Sequence, residues 1–199
     1  MKKYLIILFL LTCIYANGQK SKSDTLLRSS VRLSFLNFVD NTFFVGYEYL
    51  FQKGNGLYAG LGSVYADNND GYKSGLRTEV QFKLYITKKW NERVNKRIYF
   101  APYFTYKYIE TGPNNYTGES FAPINVSINY YNSFCPGIIA GYNIAFLNKL
   151  SIDFFIGGGL KRTFDGDFKG HINSDNYNIM DPGYSGVIPK IGIEAGINF

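Results

Sequence analysis

Several residue types and patterns are scarce in this sequence, and each scarcity excludes a class of protein. Two cysteines in 199 residues cannot hold together a disulfide scaffold. A single histidine, His171, argues against a histidine-based metal cluster. After the first 16 residues, no apolar run approaches the roughly 20 residues that a membrane-spanning helix needs. Because hydrophobic residues still make up 46% of the chain, the composition is not that of a disordered protein.

Aromatic residues and glycine are abundant instead. The chain has 18 Tyr, 17 Phe and 21 Gly, and its formal net charge is +6. Its length suits one folded domain. We find no phosphate-binding glycine loop and no CxxC, HExxH or GxSxG motif, so we predict no cofactor, no metal, no catalytic residue and no enzymatic activity.

The N-terminus has the layout of a secretory signal peptide. Lys2 and Lys3 precede an apolar run over residues 4–16, which is followed by small residues up to Gly18. Thirteen apolar-biased residues are too few for a spanning helix. We therefore expect residues 1–18 to be a signal peptide, 19–28 a periplasmic segment and 29–199 the folded domain. The alternatives are an uncleaved anchor and a lipoprotein acylated at Cys13.

From residue 29 onward, apolar and polar residues alternate with a period of two, which predicts β-strands. No convincing helix is present. Strand three is the least regular, since Tyr58 and Val64 fall on its polar face and Ser63 on its apolar face. The eight predicted strands are Ser29–Asn37, Phe43–Gln52, Leu57–Tyr65, Leu76–Ile86, Arg97–Tyr108, Phe134–Phe146, Leu150–Leu160 and Val187–Phe199.

Charge is confined to one face of these strands. That face also carries most of the strand glycines, which weaken a solvent-exposed strand but leave room for large side chains inside a narrow barrel. We therefore predict that the polar face points inward and the apolar face outward. This inversion is typical of an all-β, transmembrane, antiparallel up-and-down barrel, here of eight strands. The charged residues are Arg32, Glu48, Arg77, Glu79, Lys83, Arg97, Lys107, Asp153, Lys161, Lys190 and Glu194.

The connections support a barrel with two different ends. Short connections alternate with longer ones, and with a periplasmic N-terminus the longest, Thr111–Ser133 and Lys161–Gly186, lie outside the cell. Pro102, Pro136 and Pro189 fall within strands, which predicts bulges or a slip in register. Aromatic residues near strand ends match the interfacial girdles of membrane barrels: Phe43, Phe51, Tyr106, Tyr108, Phe134, Phe146 and Phe199.

The last strand ends Ile193-Glu194-Ala195-Gly196-Ile197-Asn198-Phe199. Alternating apolar residues and a C-terminal Phe resemble the last strand of Gram-negative outer-membrane barrels, which the barrel-insertion machinery reads. With the leader, residues 28–199 resemble the small eight-stranded barrels of the OmpA, OmpX and OmpW kind. The resemblance implies a bacterial outer-membrane location, Phe199 as an insertion signal, contact with membrane lipid and lipopolysaccharide, and a monomer.

The inward-facing charges are the candidate site. They form either a salt-bridge plug that fills the barrel or the lining and gate of a pore. Our candidates for the network are Glu48, Arg77, Glu79, Lys83, Asp153, Lys190 and Glu194.

We expect a non-enzymatic envelope or surface component that acts through its extracellular loops. One alternative is a narrow passive pore for small solutes or apolar molecules. Another is a lipid A-modifying enzyme using His171, Ser174 and Asp175. A soluble lipocalin-like barrel, with apolar residues inside, is the competing fold. Sorting the charge by location leaves no uniform basic surface, so we predict no nucleic-acid partner.

Overall fold

The computed structural model describes residues 28–35, 42–51, 55–68, 71–86, 94–112, 128–146, 149–165 and 182–199. Each strand runs antiparallel to its neighbours in the chain, and β8 pairs with β1, which closes the barrel. The predicted eight-stranded up-and-down fold is confirmed. The strands are β1 (Ser29–Ser34), β2 (Thr42–Leu50), β3 (Asn55–Asn68), β4 (Gly71–Tyr85), β5 (Val94–Gly112), β6 (Asn129–Phe146), β7 (Leu150–Asp165) and β8 (Gly186–Asn198).

In the described ranges, no helix is long and apolar enough to cross a membrane. The predicted leader, residues 1–18, and residues 19–27 of the predicted N-terminal segment lie outside those ranges.

Strands β3 to β8 continue further than the apolar pattern predicts at one end of the barrel, which we call the loop end. The connections β3–β4, β5–β6 and β7–β8 lie there; the opposite end, where β1 starts and β8 ends, is the turn end. The expected ten-residue β3–β4 connection is wrong, because only residues 69–70 separate the strands. Asn68 pairs with Gly71, whose φ of 155° suits glycine. Backbone pairing needs no apolar side chains, so it continues past the point where the alternation stops.

The register shows how far the strands are staggered. The stagger is found by stepping from each residue to its pairing partner on the next strand, starting at Asn198 of β8 and its partner Ser30 of β1, until all eight strands have been crossed. The last step reaches β8 again at Ile188, ten residues before Asn198. With usual strand spacings, this stagger tilts the strands by about 40°. An eight-stranded barrel of this kind is just wide enough for side chains to fill it.

The three strand prolines cause neither a bulge nor a slip. The β4–β5 ladder breaks beside Pro102 and resumes in the same register, from Gln81↔Tyr103 to Leu84↔Phe100. The β6–β7 ladder does the same at Pro136, between Phe134↔Arg162 and Gly137↔Gly159. At Pro189 the pairing with Gly158 is continuous. Each proline points outward and is exposed, so its ring does not compete for space in the lumen.

The inward and outward faces are as predicted. Inward-facing Glu48, Glu79 and Lys83 are buried, whereas outward-facing Leu61 and Ile138 are among the most exposed side chains. The irregular third strand also follows the prediction, since Tyr58 and Val64 point into the lumen and Ser63 points out.

Glycines on the inward face make room for aromatic rings. A Cβ at Gly141 would overlap the ring of Tyr99, and a Cβ at Gly192 would overlap the ring of Phe155. Tyr99 is completely buried. The glycines therefore let large side chains lie flat against the adjacent strand, which fills the narrow lumen.

Candidate functional site: the charges of the lumen

The lower of two charge clusters lies toward the turn end and joins four strands. Arg32 from β1 contacts Glu48 of β2 at 2.6 Å and Asp153 of β7 at 2.8 Å. Lys83 from β4 contacts the same two carboxylates, at 3.1 Å and 2.6 Å. All four side chains are at most 3% exposed. Two cations and two carboxylates thus alternate in a closed ring of ion pairs, which we call the lower cluster.

Tyrosine side chains provide further contacts to the charges of the lower cluster. Tyr85 donates a hydrogen bond to Glu48, and Tyr99 donates one to Asp153 at 3.0 Å. The ammonium of Lys83 also lies 4.7 Å from the centre of the Tyr99 ring. Burying charges is costly unless pairing and hydrogen bonds satisfy them, and these contacts supply that compensation.

The upper cluster is centred on Glu79 of β4, nearer the loop end. Arg77 lies 2.8 Å from Glu79, and Lys190 of β8 forms a second ion pair with it. Gln81 and Thr105 donate hydrogen bonds to the same carboxylate at 2.7 Å and 3.1 Å. Glu79 therefore accepts contacts from four side chains.

Glu194 lies between the two clusters. Tyr58 donates a hydrogen bond to it at 3.0 Å, and its other oxygen, Oε2, is buried without a partner in the described part of the chain. Gln81 Oε1 is a second buried acceptor without a described partner. Polar atoms of this kind usually bind ordered water inside proteins.

The structure places all seven predicted site residues in the lumen and divides them between these clusters. Glu48, Lys83 and Asp153 belong to the lower cluster, Arg77, Glu79 and Lys190 to the upper one, with Glu194 between. Arg32 also belongs to the lower cluster; it lies on the predicted polar face but is not among the seven predicted site residues. Its contribution depends on β1 and β7 meeting across the lumen, and no local pattern shows that.

The outer surface of the barrel is a continuous apolar belt. On β5 the outward row runs from Ile98 to Tyr108 without a charge, and on β7 from Leu150 to Leu160. Ten residue steps at this tilt span about 25 Å. The next outward residues beyond these rows are charged and exposed: Lys96 at the turn end and Arg162 at the loop end. Exposed members of the apolar belt are Leu57, Leu61, Leu76, Val80, Phe82, Leu84, Ile98, Phe100, Phe104, Ile138, Leu150, Phe154, Ile156, Leu160, Val187, Ile191 and Ile197.

Aromatic side chains border the apolar belt. At the loop end, the Phe134 ring lies 5.2 Å from that of Tyr106 and 6.2 Å from that of Phe164. At the turn end, Phe199 lies 6.4 Å from Tyr47, and its backbone is hydrogen-bonded to Ser29. Of the predicted girdle, Phe43, Phe51, Phe146 and Phe199 are exposed, and Tyr106, Tyr108 and Phe134 are partly buried.

His171, Ser174 and Asp175 lie outside the described residues. In the part of the chain that the structure describes, no group of three or more His, Cys, Asp or Glu side chains could hold a metal ion. Cys135 is a free, buried thiol on the inward face of β6.

No protein-family model matches the chain, and no curated protein matches it closely enough to count as a relative.

Proposed function

We propose that this protein is a transmembrane β-barrel of a bacterial outer membrane. The apolar belt carries the proposal: a barrel in water would bury its apolar face, whereas this one exposes it around the whole circumference and buries its charges. The belt's height of about 25 Å equals the apolar band of outer-membrane barrels. Isolated apolar residues on a soluble surface need no explanation, but a closed ring of them does.

The remaining features fit this proposal. Export would use residues 1–18, with residues 19–28 in the periplasm, and the terminal Phe199 would be read by the insertion machinery. Membrane lipid and lipopolysaccharide would then surround the apolar belt. Since β8 pairs with β1, the barrel has no need of a second copy to complete its sheet, and we propose a monomer.

Within the membrane, we propose a non-enzymatic role in which the filled barrel anchors surface loops. The lower and upper clusters occupy the lumen at two heights, which opposes the alternative of a pore. Because the strands extend at the loop end, the β5–β6 and β7–β8 connections shorten to residues 113–128 and 166–185. We propose that the protein contacts its surroundings outside the cell through these two segments.

Fractionation of cells that express the chain tests the location. We expect the mature protein in the outer-membrane fraction, and we expect the unheated form to migrate differently from the heated form on a denaturing gel, because a closed barrel resists the detergent. A chain that is soluble in the periplasm would overturn the proposal.

Conductance measurements in planar bilayers test whether the lumen is closed to ions. We expect the purified protein to give no discrete conductance steps in concentrated KCl, because ion pairs and aromatic rings occupy the narrow interior. Steps that change when Glu79 is replaced by Gln or Lys83 by Met would instead favour the pore. A refolded sample that shows heat-modifiable mobility is the necessary control for insertion.

A further inference from the structure

Glu194 of β8 has a buried carboxyl group that forms no ion pair with any residue the structure describes. The residue is 2% exposed. Tyr58 donates a hydrogen bond to Oε1 at 3.0 Å, whereas Oε2 has no partner among the described residues. An ionised carboxylate at this position would lose its hydration without gaining a cation, which is strongly unfavourable.

The residue directly opposite Glu194 on the adjacent strand is also an acid. Asp153 of β7 is paired with Glu194, and both side chains are buried in the lumen. Like charges at directly opposed positions of a sheet are unfavourable, and two carboxyl groups that share one site often retain a proton. On its other side Glu194 is paired with Ser34 of β1, which is uncharged. The register therefore places an acid, and no cation, at the two positions paired with Glu194.

The cations of the lower cluster contact other carboxylates. Arg32 lies 2.6 Å from Glu48 and 2.8 Å from Asp153. Lys83 contacts the same two carboxylates at 3.1 Å and 2.6 Å. Of the two paired acids, Asp153 thus has two cations, and Glu194 has one neutral hydroxyl group. If one of these two acids holds a proton, the contacts identify it as Glu194.

Charged and titratable groups from six other strands lie around Glu194. They are Arg32 of β1, Glu48 of β2, Tyr58 of β3, Glu79 and Lys83 of β4, Tyr99 of β5, Asp153 of β7 and, further along β8 itself, Lys190. On β6 the inward-facing residues at this height, Ile139 and Gly141, have no titratable side chain. Within the described part of the chain, only Tyr58 of these groups hydrogen-bonds directly to the Glu194 carboxyl group.

We propose that Glu194 is a proton-binding site and that its side chain is a neutral carboxylic acid in the closed barrel at neutral pH. The proton comes from solvent and is held on Oε2, while Oε1 remains the acceptor for the Tyr58 hydroxyl. Protonation removes the negative charge opposite Asp153 and the cost of burying an unpaired charge. Because Glu194 faces the lumen, the inference does not depend on the proposed outer-membrane location.

Infrared spectroscopy of the full-length mature protein tests this inference, because a carboxylic acid has a C=O stretching band that a carboxylate lacks. The protein is folded at neutral pH in a detergent that has no carbonyl group. We expect a carboxylic acid band that Glu194→Gln removes. Tyr58→Phe should shift the same band, because the C=O group loses its hydrogen bond, and this shift is a second measurement if Glu194→Gln does not fold.

Glu110→Gln is the matched control, since Glu110 lies on the outward face near the loop end of β5, and the band should remain. Absence of the band in the folded, unmodified protein overturns the proposal, as does a band that Glu194→Gln leaves unchanged. Heat-modifiable mobility of the same samples monitors the barrel separately.

The pH dependence of unfolding by urea gives an independent measurement. The folded barrel would bind one proton more than the unfolded chain, in which glutamate titrates near pH 4.3. Between about pH 5 and 7, the folding equilibrium constant of the unmodified protein should therefore fall relative to that of Glu194→Gln, by up to about tenfold per pH unit. A ratio that does not change with pH overturns the proposal.

Discussion

Replacing Asp153 with Asn is expected to lower the free energy of unfolding by about 3–5 kcal/mol. Asp153 is completely buried and lies 2.8 Å from Arg32, 2.6 Å from Lys83 and 3.0 Å from the hydroxyl of Tyr99. The amide keeps the shape of the side chain but leaves two buried cations with one remaining carboxylate, Glu48. Equilibrium unfolding by urea in lipid vesicles, followed by far-UV circular dichroism, measures the loss.

Two variants make this prediction specific. Asp67→Asn, at an exposed position near the loop end of β3, should change the unfolding free energy by less than about 0.5 kcal/mol. Combining Asp153→Leu with Lys83→Met removes opposite charges together and should recover most of the stability, because the remaining Arg32–Glu48 pair is balanced. If the double variant loses as much unfolding free energy as the single variants Asp153→Leu and Lys83→Met together, the ring of ion pairs is contradicted.

The second large effect is expected on the outside of the barrel. Ile156 lies near the middle of the outward row on β7, is 61% exposed and is paired with Ile191, which is 63% exposed. In a bilayer, Ile156→Arg should cost about 2–4 kcal/mol of unfolding free energy, because the charge enters the hydrocarbon midplane. In a water-soluble barrel the same change at an exposed site would be nearly neutral. Urea titrations of vesicle-inserted protein separate the two outcomes.

Val187→Arg is the matched control for depth. Val187 is 66% exposed and lies on the outward face of β8 at the loop-end margin of the apolar belt. There an arginine reaches the interface, and the expected cost is at most about 1 kcal/mol. Equal stability of Ile156→Arg and the unmodified protein would refute the membrane-spanning proposal, whatever the result at Val187.

Sequence alone predicted the fold because the side-chain period of a strand is local information. The row Leu76, Thr78, Val80, Phe82 marks one face of β4 without any knowledge of its neighbours. The glycines that accompany the charges on the other face predict that the charged face points inward. The faces of the irregular β3 were also predicted correctly. Tyr58 and Val64 are six residues apart, so both lie on the same face of the strand as Gly60 and Gly62.

Strand ends and ion-pair partners could not be predicted in the same way. The β3–β4 turn forms through backbone pairing of polar residues such as Asn68 with Gly71, which apolar alternation does not report. The partners of Asp153 come from β1 and β4, and choosing them requires the stagger of the closed barrel. Pro102 and Pro136 were expected to disturb the register, but each removes a single N–H donor and leaves the flanking pairs in place.

If the barrel lies in a membrane, as we propose, the lower cluster also constrains how the chain enters the bilayer. Arg32 and Asp153 are 121 residues apart in sequence and meet only when the first strand closes against the last. An incomplete sheet of β4 to β7 would carry Lys83 and Asp153 on one surface without Arg32 or Glu48. In hydrocarbon that surface would expose charges whose solvation nothing replaces. For the proposed membrane protein we therefore expect ring closure to precede or accompany passage into lipid, because the opposing charges come from strands that meet only when the barrel closes.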